Sequence, residues 1–343
     1  IRAQLDDGIT FTLMHPLEVE VAERIVALCP GVEQVRFAKS GSDAVSAAVR
    51  AARAHTGRDL VVVAGYHGWH DWYIGSTTRD RGVPKAVAEL TLTAPYGDLD
   101  QLADLFRRHP GEIAAVVIEP SGATVPPPGY LEGLEALCCD QGALSVFDEV
   151  ITGFRLAPGG ARQRYGVEPD LSAYGKALGN GMPIAAIGGR RELMAEFEEV
   201  FFSGPHGGAA LSLAAARAVL DTIADGSVLA AIEARGQTVL DGVRALVARH
   251  GVDGVITVDG EPQRTVVGIG GTDPLVTKSF VQQCQAEAGC LFNGSLFICA
   301  RHTDDDVERM LAGFDRAFEV IASGADLRPL LVGDPVQPVF RAP

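Results

Sequence analysis

The 343 residues carry 29 Lys and Arg against 44 Asp and Glu, a formal net charge of −15. That balance excludes a nucleic-acid backbone or an anionic membrane surface as partner, because both need a positive face. The 47% hydrophobic content excludes a mainly disordered chain, and 40 glycines against an average usage of about 7% mark places where backbone turns sharply or approaches a ligand.

In chain order, residues 1–34 read as an N-terminal helical segment. From residue 35 short apolar runs alternate with helical patterns. Strands are predicted at Val35–Phe37, Leu60–Val63, Ile113–Ile118, Leu144–Phe147, Ser172–Tyr174 and Ile184–Ile187. Helices are predicted at Gly41–His55, Leu99–Arg108 behind an Asp98 cap, Leu131–Asp140, Arg190–Phe197 and Leu211–Thr222. Repeated strand–helix units predict an α/β domain over 35–226, with a mainly parallel sheet covered by helices on both faces. Beyond it, helix Val228–His250, strands Val255–Val258 and Arg264–Ile269, helix Lys278–Ala288, strand Leu291–Ile298 and helix Asp304–Ile321 predict a smaller α+β domain over 227–328. Residues 329–343, proline-rich and aperiodic, are expected to form an irregular tail.

No apolar window is long enough for a membrane span, and the start at Ile1 has no signal-peptide pattern. Without an initiator Met, that start is expected to lack the first segment of the gene product. The six cysteines form no CxxC pair and no zinc-finger spacing, which predicts reduced thiols in a cytoplasmic protein.

Ligands of open α/β sheets bind beyond the carboxyl ends of the strands, so the residues after each strand are the candidates. After Val35–Phe37 comes Ser40-Gly41-Ser42 opening an Ala-rich helix. Such a turn offers free N–H groups and hydroxyls to an anion, ideally a phosphate; plain N-capping by Ser40 or Ser42 is an equal alternative. After Leu60–Val63 comes Gly65-Tyr66-His67-Gly68-Trp69-His70-Asp71-Trp72-Tyr73, an aromatic platform for a planar ligand or a structural ring cluster. His67 and His70 lack further ligands at useful spacing, so no metal site is predicted. Asp148 and Glu149 end the Leu144 strand; a carboxylate there suits a cationic ring nitrogen, or an organising pair with Arg155. Lys176, among Gly175, Gly179 and Gly181, follows the Ser172 strand; in a partly buried cleft it makes a competent imine-forming amine. Anion turn, aromatic platform, carboxylate and lysine, each after a different strand, describe a pocket for pyridoxal phosphate.

Ser40-Gly41-Ser42-Asp43-Ala44, Gly65-Tyr66-His67-Gly68, Phe147-Asp148-Glu149-Val150-Ile151-Thr152-Gly153-Phe154-Arg155, Gly175-Lys176-Ala177 and the late Arg301-His302-Thr303-Asp304-Asp305-Asp306 resemble the class III aminotransferases. Within that family they look most like the group related to glutamate-1-semialdehyde 2,1-aminomutase. The resemblance implies a pyridoxal-phosphate enzyme of fold type I, working as a homodimer with active sites at the subunit interface. It implies that Lys176 forms the internal aldimine and shuttles the proton, and that Asp148 keeps the pyridine nitrogen protonated. Tyr66 and Val150 would flank the ring, Gly41 and Ser42 would bind the phosphate with Ser40 and His67 alongside, and Glu119 would lie close to cofactor and substrate.

The reaction implied is transfer of an amino group from a small-molecule donor to a carbonyl acceptor. The Gly65–Arg79 run resembles members from polysaccharide or secondary-metabolite pathways, which points to a keto-sugar or similar metabolite. An intramolecular aminomutase is the alternative, and an idle paralogue serving as a structural partner is a third reading. Two departures stand out: Pro205 replaces the threonine that the neighbouring subunit usually gives to the phosphate, leaving that contact to Ser203 or His206 or to nothing, and Ala209-Ala210 stands where Asn-Pro or Glu is common.

Overall fold

Runs of Val, Ile and Ala too short for helices become strands whose two faces are both buried. The computed structural model describes residues 1–204 and 206–337. Its larger unit takes in Ile1–Gly122 and Pro126–Gly226, so the N-terminal helical residues are part of this unit. It contains α1 (Arg2–Asp7), α2 (Pro16–Leu28), β1 (Gln34–Ala38), α3 (Gly41–Thr56), β2 (Leu60–Ala64), α4 (Asp71–Ile74), α5 (Lys85–Ala88), β3 (Thr91–Thr93) and α6 (Leu99–Arg108). After these come β4 (Ile113–Ile118), α7 (Tyr130–Gln141), β5 (Leu144–Glu149), α8 (Gly160–Tyr165), β6 (Leu171–Tyr174), β7 (Ala185–Gly189), α9 (Arg191–Met194) and α10 (Ala210–Ile223).

Seven strands form one sheet in the order β1-β7-β6-β5-β4-β2-β3. The pairs from β6 through β3 are parallel, whereas β7 runs antiparallel to both β6 and β1. Two reversals restore the direction, so β1 points the same way as β2, β4, β5 and β6. Their carboxyl ends, and the start of β7, therefore share one edge of the sheet. Alternation along each strand sorts the core. Val61, Val63, Ala115, Val117 and Val146 pack with the alanine face of α3, while Val62, Ala64, Val116, Ile118 and Phe147 pack with α6 and α7.

The other unit takes in Ala123–Val125 and the chain from Ser227 onward. It contains α11 (Ser227–His250), β8 (Ile256–Glu261), β9 (Arg264–Ile269), α12 (Pro274–Glu287), β10 (Ser295–Phe297) and α13 (Asp304–Ala322). The three strands form an antiparallel sheet in the order β10-β9-β8.

Several elements differ from expectation for local reasons. The strand expected over Leu291–Ile298 shrinks to Ser295–Phe297, because Asn293 accepts the Ser295 N–H and Gly294 turns the chain at φ 115°. Helix α12 starts before Lys278, at Pro274, where Asp273 caps it through the Val276 N–H. β3 and α8 carry too few residues to show a period. The predicted tail begins with one 3₁₀ turn, Arg328–Leu330, and residues 338–343 lie outside the described ones.

On α7, Glu135 is half-buried near Arg162, Asp170 and Glu168. Burial pushes its carboxyl up to about 7, with Arg162 opposing and Asp170 adding. The folded state thus holds its proton where the unfolded chain has lost it, and stability drains away as pH rises from about 4.5 to about 7. Glu135→Gln should gain stability over the wild type progressively across that window and track it at lower pH, as read from urea midpoints at pH 4 to 8.

Candidate active site

Five of the six like-directed strands, β1, β2, β4, β5 and β6, deliver polar residues to the shared edge. After β1, Ser40 is the N-cap of α3. Its hydroxyl accepts the Asp43 N–H at 3.2 Å, and its own N–H and O–H both donate to Asp43 Oδ2 at 2.8 Å. Capping therefore engages Ser40, while the N–H groups of Gly41 and Ser42 in the first turn of α3 have no intrahelical acceptor. Gly41 must lack a side chain here: an added methyl would sit 2.8 Å from both Val150 methyls. Gly68, at φ 91°, likewise has no room for a methyl against Ser42.

After β2 the chain turns at Gly65, and the Tyr66 N–H donates to Glu119 Oε1, beyond β4, at 2.9 Å. Burial, then the nearby Asp148 and Glu119 charges, raise the Tyr66 phenol above its ordinary value, so it remains a neutral phenol. His67 is 1% exposed, stacked against Trp72 and edge-on to Tyr73. Its Nδ1 lies 2.9 Å from Asp148 Oδ2; a carboxylate only accepts, so Nδ1 carries the hydrogen. His70 goes elsewhere, bonding Ser46 Oγ through Nδ1 at 2.7 Å, so the two histidines do not converge. Among the described residues no group of three or more His, Cys, Asp or Glu side chains is placed to hold a metal ion.

At the end of β5, Asp148 is 6% exposed, and its Oδ1 accepts the Val150 N–H at 3.1 Å. Neighbouring Glu149 points the other way. It accepts from Thr152 Oγ1 at 3.0 Å and from the backbone of Ala161 and Arg162 at 2.6 and 3.3 Å, and burial raises its carboxyl against the pull of those donors. After β6, Lys176 sits at φ 38°, a left-handed conformation that a non-glycine residue rarely adopts. Its side chain is exposed rather than partly buried as expected; Lys176 opens a 3₁₀ turn, Lys176–Leu178, and lines the cavity.

One cavity of ≈ 500 Å³ gathers Ser40, Gly41, Ser42, Tyr66, His67, Glu119, Asp148, Val150 and Lys176. It also takes Lys39, Ile151 and the Gly181-Met182-Pro183-Ile184 approach to β7, which sequence reasoning left out. The antiparallel β7 brings in the last group. Lys39 had a signal, being the residue directly before the Ser-Gly-Ser turn. Ser203 and His206 line a separate cavity of ≈ 360 Å³ beside it, and Pro205 lies outside the described residues.

An anion turn, a pocketed carboxylate and a lysine facing one space agree with what sequence comparison finds. Residues 1–294 match the family described as Aminotransferase class-III. The chain belongs to the class III aminotransferases. Its fold is that of the pyridoxal-phosphate-dependent transferases of fold type I. Similar solved structures include the PLP internal aldimine form of the FumI protein of Sphingopyxis sp. MTA144, 30% identical, covering 96% of this chain and 82% of that one with a TM-score of 0.86. An omega-transaminase from Sphaerobacter thermophilus is 27% identical, with 92% and 81% covered and a TM-score of 0.84. A β-phenylalanine aminotransferase from Variovorax paradoxus is also 27% identical, with 93% and 77% covered and a TM-score of 0.82.

The His67–Asp148 contact is the buried polar pair of this aminotransferase-family site. His67→Leu should leave Asp148 Oδ2 without its donor and cost about 1–3 kcal/mol of stability, measured by chemical denaturation.

Proposed function

We propose that this class III aminotransferase carries an amino group from a small-molecule amine to a carbonyl acceptor, with pyridoxal phosphate as cofactor. The observation that carries the reading is the convergence of Lys176, Asp148 and the Gly41–Ser42 turn on one cavity. The cavity fits the group. Bare α-carbons at Gly41 and Gly175 leave the Val150 side chain as an apolar wall, since methyl groups there would lie 2.8 and 3.2 Å from it. Tyr66 offers a ring among the lining residues, Asp148 a carboxylate for a ring nitrogen, and the α3 N-terminus N–H groups for a phosphate.

When bound, pyridoxal phosphate supplies an electron sink for the carbon that bears the amine and carries nitrogen between two substrates. The protein does the rest. Asp148, held at Oδ2 by His67 and at Oδ1 by the Val150 N–H, would face the ring nitrogen and hold a proton there. Lys176 would hold the cofactor through Nζ. Once released, that Nζ takes the proton from the donor's amine-bearing carbon and later returns one to the acceptor's carbon. Glu119, fixed by the Tyr66 N–H, orients Tyr66 and borders the substrate side.

The finer assignments belong to the same proposal. The acceptor is a polar carbonyl compound of the keto-sugar type, on the Gly65–Arg79 resemblance. The working form is a homodimer with sites at the subunit interface; Trp69 and Phe201, 70% and 80% exposed, suit burial against a second copy. The six free cysteines support a cytoplasmic setting. Two-substrate transfer is favoured over the aminomutase reaction because the similar solved structures are transaminases. An idle paralogue is disfavoured by Lys176 and Asp148 sharing the cavity.

The test reconstitutes the full chain with pyridoxal phosphate. The wild type should show a lysine-dependent absorbance band, and Lys176→Ala should lose the band with about 10²–10⁴-fold of the transfer rate. Product from a single substrate, with no donor or acceptor added, would favour the aminomutase and sink the two-substrate reading.

A further inference from the structure

We propose that Lys39 supplies the counter-charge for the cofactor's phosphate, making it a binding residue of the site as well as the start of the turn. The inference rests on the pyridoxal-phosphate reading of the cavity. A phosphate monoester carries about −1.5 to −2 charges at neutral pH, and the turn by itself answers little of that. Ser40 spends its N–H and its hydroxyl on Asp43, whose carboxylate adds negative charge beside the turn. What remains is the dipole end of the 16-residue α3, the N–H groups of Gly41 and Ser42, and the Ser42 hydroxyl.

The charge balance of the cavity points to one residue. Among its described lining residues the carboxylates are Glu119 and Asp148, and the Lys and Arg side chains are Lys39 and Lys176. Lys176 is the residue proposed to bond the cofactor, which leaves Lys39 as the fixed cation. Lys39 follows directly on β1 and precedes the turn, so its backbone is set by the same register that sets Gly41. Its Nζ donates to the buried Ser212 hydroxyl on α10 at 3.3 Å, and an ammonium has three hydrogens to give. Burial lowers the Lys39 ammonium below its ordinary value, and an anion beside it would oppose that lowering.

The experiment compares two ligands that differ only in the charged group. Equilibrium dialysis of the full chain with pyridoxal phosphate and with pyridoxal gives an affinity ratio for wild type, Lys39→Met and Lys39→Arg. We expect Lys39→Met to weaken pyridoxal phosphate by about tenfold or more and pyridoxal by less than about twofold, with Lys39→Arg restoring most of the ratio. Raising salt should narrow the wild-type ratio without any substitution. An equal loss for both ligands, no loss for either, or a wild type that binds pyridoxal as tightly as its phosphate overturns the proposal. Failure of the transferase reading looks different: Lys176→Ala then binds pyridoxal phosphate in the same spectral form as wild type, while the two-ligand ratio still reports on Lys39.

Discussion

A carboxylate 6% exposed at the end of a central strand has to be answered by hydrogen-bond donors, and much of the larger unit is arranged to answer Asp148. Its two oxygens are met from opposite directions, Oδ2 by His67 from the loop after β2 and Oδ1 by the Val150 N–H just beyond its own strand. His67 is itself fixed by Trp72 and Tyr73. Trp72 in turn donates to Ser46 on α3, and Tyr73 to the Gly65 carbonyl. The aromatic concentration after β2 therefore has a structural purpose first. It locks the histidine that locks the aspartate, with Tyr66 left at the rim facing the cavity.

Behind that pair lies a second buried polar system. Glu149 is fully buried and holds the start of α8 through Ala161 and Arg162. The Arg162 side chain, 1% exposed, donates to the carbonyls of Pro30 and Pro169. Tyr174 lies against the Cys29 thiol, which burial pushes up to about 12. Gly153 is required between them, since a methyl would meet the Glu149 carbonyl and the Tyr174 ring at 2.7 and 2.6 Å. This packing anchors the ends of β5 and β6 together and gives Lys176 a rigid base on which a left-handed φ is sustained. Adjacent acids thus divide the work by strand alternation, Asp148 toward the cavity and Glu149 into the structural network.

Much of the site was legible in the sequence because its residues sit next to strands that announce themselves by apolar runs. Ser40-Gly41-Ser42, Tyr66-His67, Glu119, Asp148 and Lys176 each follow such a run, and one edge collects them once the strand directions agree. The choice between capping and anion binding at Ser40 was not legible, since both use the same residue types; the distances to Asp43 assign Ser40 to the cap. Nor was the antiparallel direction of β7, whose five residues look like those of the parallel strands of the same sheet, and with it went the Met182–Ile184 wall. The left-handed φ of Lys176 is likewise declared by no local pattern.

The sequence by itself determined the class of the fold, most of its strands and helices, and the candidate residues beyond the strand ends, because periodicity, glycine and capping are local physics. Tertiary structure alone decided which of those residues share a space. That is a matter of register and direction across the sheet: two reversals at β7 turn β1 to face the cavity. They bring Lys39 and the turn after it within one ≈ 500 Å³ volume of Asp148 and Lys176. The −15 charge belongs to the surface as a whole, while the cavity's balance is set by four side chains that only the fold brings together.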